Sequence, residues 1–228
     1  MNPPDENLAA ALARHQIDLP PSQVALLERY CELLWEWNSK INLTRHTDYE
    51  KFVARDLVDS LAIARFLRPN EYVLDVGSGG GVPGIILAII REDLSVSLCD
   101  SVGKKARVVT DIVERLGLQT PVYNAAAQNL LADHRFDTLT IRAVARLKKL
   151  LQWFQPHWDE FGRLLILKGP AWTGERGEAR HYNLLNDLAL RKLASYPLPG
   201  TESESVLLQI CPKTRLGEYD AGSEHQDE

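Results

Sequence analysis

A run of glycines directly after a short apolar segment is the part of this sequence most suited to chemistry. The segment Tyr72–Val76 alternates large and β-branched apolar residues, as a buried strand does, and residues 85–90 beyond the glycines read as a helix. Glycine has no side chain and tolerates positive φ, so a ligand can lie directly against the main chain of such a turn. The order of strand, glycine turn and helix therefore predicts a cofactor cradle. Its glycines are Gly77, Gly79, Gly81 and Gly84.

The spacing of these glycines distinguishes between the cofactors that the cradle could hold. Gly79, Gly81 and Gly84 also fit the GxGxxG pattern of nicotinamide sites. In those sites the first glycine follows the strand almost at once, whereas here residues 75–78 come first, so the spacing argues against NAD. A carboxylate at the strand end, then GxGxG, then a second strand ending in Asp100 resembles the S-adenosylmethionine site of class I methyltransferases.

That resemblance gives a role to each of the two acids. By it, Asp75 faces the amino-acid end of S-adenosylmethionine. Asp100 accepts hydrogen bonds from the ribose hydroxyls, which suits a carboxylate because an ionised carboxylate is an acceptor only. A glycine triplet alone is a weak signal, and the two acids make it specific.

Length and cysteine content indicate an ordinary globular protein without a disulfide framework. The 228 residues (25.7 kDa) suit one domain with an extension, and a chain of this length buries roughly 70–75% of its unfolded surface. Three scattered cysteines indicate a reducing compartment, and no metal is expected. The N-terminus lacks a basic region followed by an apolar core, and no apolar run approaches about 18 residues. We therefore expect a cytoplasmic protein without membrane association, and we favour a monomer.

The charge balance restricts the kind of nucleic-acid contact that the chain could make. A net charge of −5, from 26 Lys and Arg against 31 Asp and Glu, argues against a general polyanion-binding surface. Several acids fall at the two ends of the chain, in residues 5–6 and 218–228, which leaves the middle more basic. A local basic face is therefore compatible with the acidic total.

The elements around the cradle follow an alternating pattern. Residues 20–39 and 47–66 read as helices ahead of the first strand, and the second opens with a capping box of Thr47 and Glu50. The second half alternates strand and helix, which with right-handed crossovers gives an open, mainly parallel sheet with ligands at the carboxyl ends of its strands. The predicted strands are 72–76, 95–99, 122–124, 137–142, 163–168, 193–196 and 205–211, and the later helices are 85–90, 104–116, 147–154 and 176–190.

These elements predict an α/β fold with a mainly parallel seven-stranded sheet, and the resemblance of the cofactor site implies the Rossmann-like fold of class I methyltransferases. We divide the chain into an N-terminal helical extension at residues 1–68 and a methyltransferase domain at residues 69–212. Residues 213–228 are predicted to form a disordered acidic tail.

Motifs along the chain resemble one family within this class. The segment WNSKINLT at residues 37–44 is similar to the WNxxxNLT segment of the RsmG (GidB) family, bacterial small-subunit ribosomal RNA guanine-N7 methyltransferases. Residues 55–60 are similar to its RHxxDS, and residues 75–84 to its DVGSGxGxPG. Further matches at 98–101, 103–105, 142–143 and 167–169 follow in the family's order, so the resemblance spans about residues 30–210.

The family resemblance implies an activity and a set of site residues. It implies methyl transfer from S-adenosylmethionine to N7 of a guanosine in 16S ribosomal RNA, expected at guanine 527, with naked rRNA or a small-subunit ribosomal particle as the partner. The implied cofactor contacts are Asp75, Gly77, Gly79, Gly81, Val82, Asp100, Ala126, Ala127 and Arg142. The implied substrate contacts are Asn42, Arg55, Asp59, Ser60, Lys168 and Trp172, and the catalytic residues are Arg142 and Lys168.

Two of these cations are also notable for their position in the predicted sheet. Arg142 and Lys168 each end an apolar strand, and a cation at a strand mouth is more often a ligand contact than a solvated side chain. Only arginine can grip O6 and N7 of guanine in a bidentate fashion. Trp172, in a loop at 169–177 predicted to be flexible, could stack on an extruded base. Packing under a loop remains the alternative for Trp172 and is favoured for Trp153 and Trp158.

Three positions depart from the family pattern and leave their roles open. Asp56 stands where the family has histidine, Ile141 where serine precedes the arginine, and residues 127–128 where a Glu-containing pair is usual. An aspartate on the substrate side would repel phosphate, so we predict that Asp56 instead pairs with a nearby Arg or Lys, or caps a loop. The cations predicted to form one basic rim are Lys40, Arg45, Arg55, Arg142 and Lys168.

Other functions remain open because the RNA target rests on resemblance alone. No cysteine ends the fourth strand, so a C5-pyrimidine mechanism through a thiolate adduct lacks its nucleophile. Guanine N7 has a free lone pair and needs only in-line placement. A small-molecule methyltransferase would have its cofactor mouth roofed by the N-terminal helices and no basic rim. A non-catalytic nucleotide-binding module is the third hypothesis.

Overall fold

A seven-stranded sheet forms the centre of the computed structural model, which describes residues 7–199 and 202–219. The strand order is β3-β2-β1-β4-β5-β7-β6, and every neighbouring pair is parallel except those made by β7. This confirms the predicted mainly parallel α/β fold. The strands are β1 Tyr72–Val76, β2 Ser95–Cys99, β3 Val122–Tyr123, β4 Phe136–Arg142, β5 Phe161–Lys168, β6 Leu188–Pro197 and β7 Glu204–Pro212.

Helices join and cover these strands. A π-helical segment, Phe52–Leu57, connects α3 to α4 without a break, and short 3₁₀ helices lie at Gln155–His157 and Lys213–Tyr219. Within the described ranges, no helix is long and apolar enough to cross a membrane. The α-helices are α1 Leu8–Arg14, α2 Pro21–Asn38, α3 Tyr49–Lys51, α4 Val58–Ala64, α5 Gly84–Ile90, α6 Gly103–Leu116, α7 Ala127–Leu130, α8 Leu147–Phe154 and α9 Trp172–His181.

The two faces of the sheet carry separate hydrophobic cores, because alternate residues of a strand point to opposite faces. Val73 of β1 belongs to the core shared with the N-terminal helices, α5 and α6. Its neighbours Leu74 and Val76 belong to the core shared with α8 and α9. Helices α1 to α4 therefore bury their apolar side chains against the same sheet face as α5 and α6. The predicted domain boundary after residue 68 stays a prediction.

The start of the second predicted helix differs from the predicted capping box. Asp48, not Thr47, is the N-cap of α3, and its side chain accepts a hydrogen bond from the Lys51 backbone nitrogen at 2.7 Å. Glu50 faces α1 instead, where it pairs with Arg14 at 2.8 Å and with His15 at 2.6 Å. The predicted capping box is therefore wrong, because the Glu50 carboxylate instead contacts side chains at the end of α1, a helix that was not predicted from the sequence.

The C-terminal third differs from the prediction in three places, of which one is β6, which begins at Leu188 and not at residue 193. Helix α9 begins at Trp172 and ends at His181, so it starts earlier and ends earlier than the predicted 176–190. Residues 213–219 form a 3₁₀ helix where a disordered tail was predicted, and the Tyr219 ring lies 4.5 Å from the Arg163 guanidinium. Residues 1–6 and 220–228, at the outer ends of the predicted extension and tail, lie outside the described residues.

Candidate active site

The glycine turn after β1 has the backbone geometry that its sequence requires. Gly77, Gly79 and Gly81 have φ values of +68°, +60° and +100°. A Cβ on Gly77 would lie 2.7 Å from Cγ2 of Val144, and one on Gly81 would lie 2.5 Å from Cδ1 of Ile85. Both the positive φ and the close neighbours therefore select glycine here.

The two acids of the predicted cradle hold this turn in place. Asp75 is 1% exposed; its Oδ2 accepts from the Gly84 nitrogen at 3.1 Å and its Oδ1 from Thr140 Oγ1 at 3.1 Å. Burial raises the pKa of Asp75 to about 6. Asp100 accepts from the backbone nitrogens of Gly79 at 3.0 Å and Val102 at 2.8 Å. Both carboxylates thus fix the shape of the turn, and their contacts with a cofactor stay predictions.

A first cavity, of about 290 Å³, opens beside the glycine turn. Ala126 and Ala127, two of the implied cofactor contacts, line it, and so does Cys99, which is not among those implied contacts. Burial raises the pKa of the Cys99 thiol to about 12, so this cysteine is a neutral wall of the cavity and not a nucleophile. The lining residues are Val76, Gly77, Cys99, Ser101, Ala125, Ala126, Ala127, Gln128, Val144 and Trp153.

A second cavity, of about 210 Å³, lies at the carboxyl ends of β4 and β5. Val144 lines both cavities and is therefore part of the wall between them. Ala143 beside it has a φ of +55°, an unusual backbone conformation that non-glycine residues adopt mainly at functional sites and turns. The second cavity is lined by Asp59, Ile141, Arg142, Ala143, Val144, Ala145, Ile166, Leu167, Lys168, Gly169 and Ser205.

Arg142 is held in the second cavity by two buried carboxylates. Its Nη1 lies 2.6 Å from Asp56 Oδ1, and its Nε lies 3.1 Å from Asp59 Oδ2. The side chains of Asp56 and Asp59 are 3% and 9% exposed, against 19% for Arg142. Although burial lowers the pKa of Arg142, Asp56 and Asp59 raise it more, so the guanidinium stays charged. The predicted pairing of Asp56 with a nearby cation is confirmed.

A second layer of contacts orients these carboxylates. Asp59 Oδ1 accepts from Tyr196 Oη at 2.6 Å and from Ser205 Oγ at 3.1 Å, which ties the cluster to β6 and β7. Asp56 is 2.9 Å from Nδ1 of His46, in the loop before α3. Asp56 lies in the π-helical segment, a distortion common at functional sites. Three regions of the chain that are distant in sequence, residues 46–59, Arg142 and residues 196–205, therefore meet at this cluster.

Lys168 is also neutralised within the chain. Its Nζ donates to Glu175 Oε2 at 2.7 Å and to the Ala145 carbonyl at 2.7 Å. The same ion pair lowers the pKa of Glu175, whose burial acts in the opposite direction. Lys168 thus lines the second cavity as one member of a closed ion pair.

Several predicted substrate contacts do not reach this cavity. Ser60 is fully buried, and its hydroxyl donates to the Asp56 carbonyl at 2.7 Å, so it braces α4. Trp172 is 9% exposed in the α8–α9 core, where it begins a helix, so its predicted place in a flexible loop is wrong. Arg55 is partly buried, with its Nη1 enclosed and without a hydrogen-bond partner among the described residues.

Asn42 is exposed in the loop after α2, and its neighbour Leu43 contacts the glycine turn at Gly80. The loop is shaped by Asn38, which the sequence reading passed over. Its Oδ1 accepts from the backbone nitrogens of Leu43 at 2.8 Å and Thr44 at 2.9 Å. The Asn/Thr spacing of the WNxxxNLT segment was the available signal.

The predicted single basic rim is wrong. Arg142 and Lys168 share a cavity, but Lys40 pairs with Glu36 at 3.3 Å, and that carboxylate also pairs with Arg115 of α6 at 3.0 Å. Lys40 therefore lies on the α2–α6 side of the molecule. Within residues 7–199 and 202–219, no group of three His, Cys, Asp or Glu side chains could hold a metal ion.

Comparisons with known proteins show which sequences and which fold this chain resembles. A family profile described as GidB, rRNA small subunit methyltransferase G, matches residues 23–195. A ribosomal RNA small subunit methyltransferase G of Rhodopirellula baltica is 48% identical over 200 residues, covering 88% of this chain and 87% of the relative. One of Halorhodospira halophila is 40% identical over 166 residues, covering 73% and 79%. A solved structure of M. capricolum TrmK with S-adenosyl-homocysteine has a TM-score of 0.53 at 14% identity over 68% of each chain, which shows the fold.

Proposed function

The chain belongs to the rRNA small subunit methyltransferase G family, and on that premise we propose that it methylates N7 of a guanosine in 16S ribosomal RNA, guanine 527 by resemblance. Methyl transfer to small-subunit rRNA is the activity named for its relatives. The observation that carries the proposal is the pair of cavities separated by Val144. Donor and acceptor can therefore occupy adjoining spaces at the carboxyl edge of one sheet.

The first cavity fits S-adenosylmethionine. When bound, this cofactor supplies a methyl group on a positively charged sulfonium. Gly77 lines this cavity and has no Cβ, so a ligand can approach its main chain closely. Ala126 and Ala127 offer small apolar walls, and Asp100 stands at the turn as an acceptor for hydroxyl groups.

The second cavity fits the guanine that accepts the methyl group. Asp56 and Asp59 engage Nη1 and Nε of Arg142, so the Nη2 amino group is the part of the guanidinium left for a substrate. One hydrogen bond from Nη2 to O6 orients the base and leaves the N7 lone pair free. The sequence led us to expect two hydrogen bonds from Arg142, to O6 and to N7. A single hydrogen bond to O6 replaces them, since a hydrogen bond at N7 would block the reacting atom.

Transfer to N7 needs no general base at neutral pH. Asp59, the carboxylate of the second cavity, is already engaged by Arg142, Tyr196 and Ser205. The protein's contribution is placement of the two reactants in line and exclusion of water, which can supply a large part of the rate enhancement. Lys168 contributes by fixing the loop at Ala145 beside the cavity.

Two alternatives are less well supported. The mouth has features expected of a small-molecule methyltransferase, since Tyr30 of α2 donates to the Gly80 carbonyl at 2.9 Å and Lys40 of the predicted rim is paired with Glu36. Family membership outweighs these features, because the relatives are named as ribosomal RNA enzymes. The same names disfavour a non-catalytic nucleotide-binding module. With rRNA or a small-subunit particle as substrate, we expect the protein to act in the cytoplasm.

A methyl-transfer assay tests the proposal. The protein is incubated with methyl-labelled S-adenosylmethionine and with unmodified 16S rRNA, small ribosomal subunits or a metabolite extract. We expect label in the rRNA or the subunits and chain cleavage at a single 7-methylguanosine after reduction and aniline treatment. Label confined to metabolites, or rRNA label without such cleavage, would contradict the proposed substrate or the proposed atom.

A further inference from the structure

Helices α8 and α9 carry an excess of positive charge beside the second cavity. α8 with its N-cap Arg146, and α9, hold five Lys or Arg and two Glu residues, a net charge of +3 in a chain whose total is −5. We propose that this surface, called the α8–α9 face, binds the phosphate backbone of the RNA next to the target nucleotide. This inference rests on the proposed function and adds to it the position of the RNA on the protein surface. The cations of the face are Arg146, Lys148, Lys149, Arg176 and Arg180.

The α8–α9 face is continuous with the cavity proposed to hold the target base. α8 begins just after Ala145, and α9 begins just after Gly169, both of which line that cavity. Glu175 of α9 connects α8 to the end of β5, because its Oε2 accepts from the Leu147 nitrogen at 2.6 Å and from Lys168 Nζ at 2.7 Å. An RNA strand that leaves the cavity therefore meets these helices first and in a fixed orientation.

Three of the five cations of the face retain charge that the cavity cations do not, whereas Arg146 and Lys148 both pair with Glu178, at 3.0 Å and 3.5 Å. Arg142 and Lys168 are neutralised by buried or half-buried carboxylates, as described above. Among the residues that the structure describes, Lys149, Arg176 and Arg180 form no ion pair with a carboxylate. Because one phosphate is carried by every nucleotide, RNA binding needs such uncompensated cations.

Aromatic rings lie against several of these cations. Lys149 Nζ lies 5.1 Å from the centre of the Trp153 ring, and Lys148 Nζ lies 3.4 Å from that of Tyr182, whose side chain is half exposed. Rings interleaved with cations are typical of surfaces that bind single-stranded RNA, since bases stack on the rings while cations contact phosphates. Trp153 also lines the first cavity, so the face reaches both reactants.

The test compares two double variants with the parent protein. Lys149→Ala/Arg180→Ala removes two exposed cations from the face, and Arg29→Ala/Arg65→Ala removes two exposed arginines from the N-terminal helices. Binding to 16S rRNA is measured across a series of KCl concentrations. We expect the first variant to reduce the slope of log K against log salt by about two, while the second keeps the parental slope. KM for RNA should rise in the first variant, with kcat and S-adenosylmethionine affinity unchanged.

The outcomes separate the docking face from the proposed function. If the parent methylates rRNA but Lys149→Ala/Arg180→Ala keeps the parental salt slope, the face is wrong and the proposed function stands. A reduced slope in Arg29→Ala/Arg65→Ala alone would place the RNA on the N-terminal helices and also overturn the face. A parent that neither binds nor methylates rRNA overturns both. Circular dichroism confirms that each variant is folded, which exposed substitutions are expected to allow.

Discussion

Removal of the Arg142 guanidinium should destabilise the protein, and the loss should depend on pH. In Arg142→Ala, Asp56 and Asp59 lose the cation that lies 2.6 Å and 3.1 Å from them while remaining almost fully buried. Breaking a buried ion pair by deleting one partner typically costs 3–5 kcal/mol. Since His46, Tyr196 and Ser205 still contact the carboxylates, we expect the lower end, about 3 kcal/mol at pH 8.

The sign of the pH dependence follows from which state binds the proton. Without Arg142, the folded protein gains by protonating the carboxylate pair, whereas an unfolded aspartate is already ionised above about pH 5. The folded state then binds more protons, so the free energy of unfolding of the variant should rise as pH falls from 8 to 5.5. The difference from the parent should therefore shrink over the same range.

Urea unfolding at pH 5.5 and pH 8 measures both quantities. The control is Arg135→Ala, whose side chain is 61% exposed and whose nearest carboxylate, Glu160, lies 3.9 Å away; it should cost less than about 1 kcal/mol at either pH. Methyl transfer is assayed where Arg142→Ala is folded, and there the variant should be inactive while the control keeps parental activity. Equal stability of Arg142→Ala and the parent at pH 8, or a loss that is independent of pH, would refute the reasoning.

Three further changes test other parts of the structure. Because burial raises the pKa of Asp75 to about 6, the parent should gain up to roughly 3 kcal/mol as pH falls from 7 to 4, and Asp75→Asn should remove this gain in urea unfolding. Gly77→Ala should weaken S-adenosylmethionine binding, measured by calorimetry, because the new Cβ would lie 2.7 Å from Cγ2 of Val144. Adding Val144→Ala to this variant should restore the affinity that this contact removes. Tyr219→Ala should lower the free energy of unfolding by about 1–2 kcal/mol, because its ring covers Arg163, with methyl transfer unchanged.

The cradle could be predicted because residues close together in the sequence determine its conformation. β1 and β2 have the predicted bounds, and Gly77 and Gly81 combine positive φ values with neighbouring side chains that leave no room for a Cβ. A parallel sheet then brings the ends of neighbouring strands to one edge, which places Asp75, Asp100 and Arg142 near each other without further information.

The errors arose where the partner of a residue is distant in sequence. Glu50 fits a capping box locally, but Arg14 and His15 compete for its carboxylate. Residues 213–219 are polar and follow the last strand, yet Tyr219 finds Arg163 on β5. A local sequence pattern does not show whether such a tertiary contact is more stable than the local structure that the pattern favours.

The basic rim failed for a related reason, because a sequence shows where cations are but not which carboxylates they meet. Arg142 was expected to present its charge to RNA, and the structure places Asp56 and Asp59 against it. Asp56 departs from the family's histidine, and the prediction that it pairs with a cation is confirmed. The sequence does not show that this cation is Arg142 itself.

That identity bears on how the two predicted parts of the chain depend on each other. Asp56 and Asp59 come from the N-terminal helices, while Arg142 ends β4 in the predicted methyltransferase domain. The carboxylates occupy two of the three nitrogen positions of the guanidinium and so decide which one can face a substrate. A methyltransferase domain without the extension would keep Arg142 but lose both the neutralising charge and the orientation. The extension is therefore a component of the proposed substrate site, because it determines the direction in which the guanidinium donates.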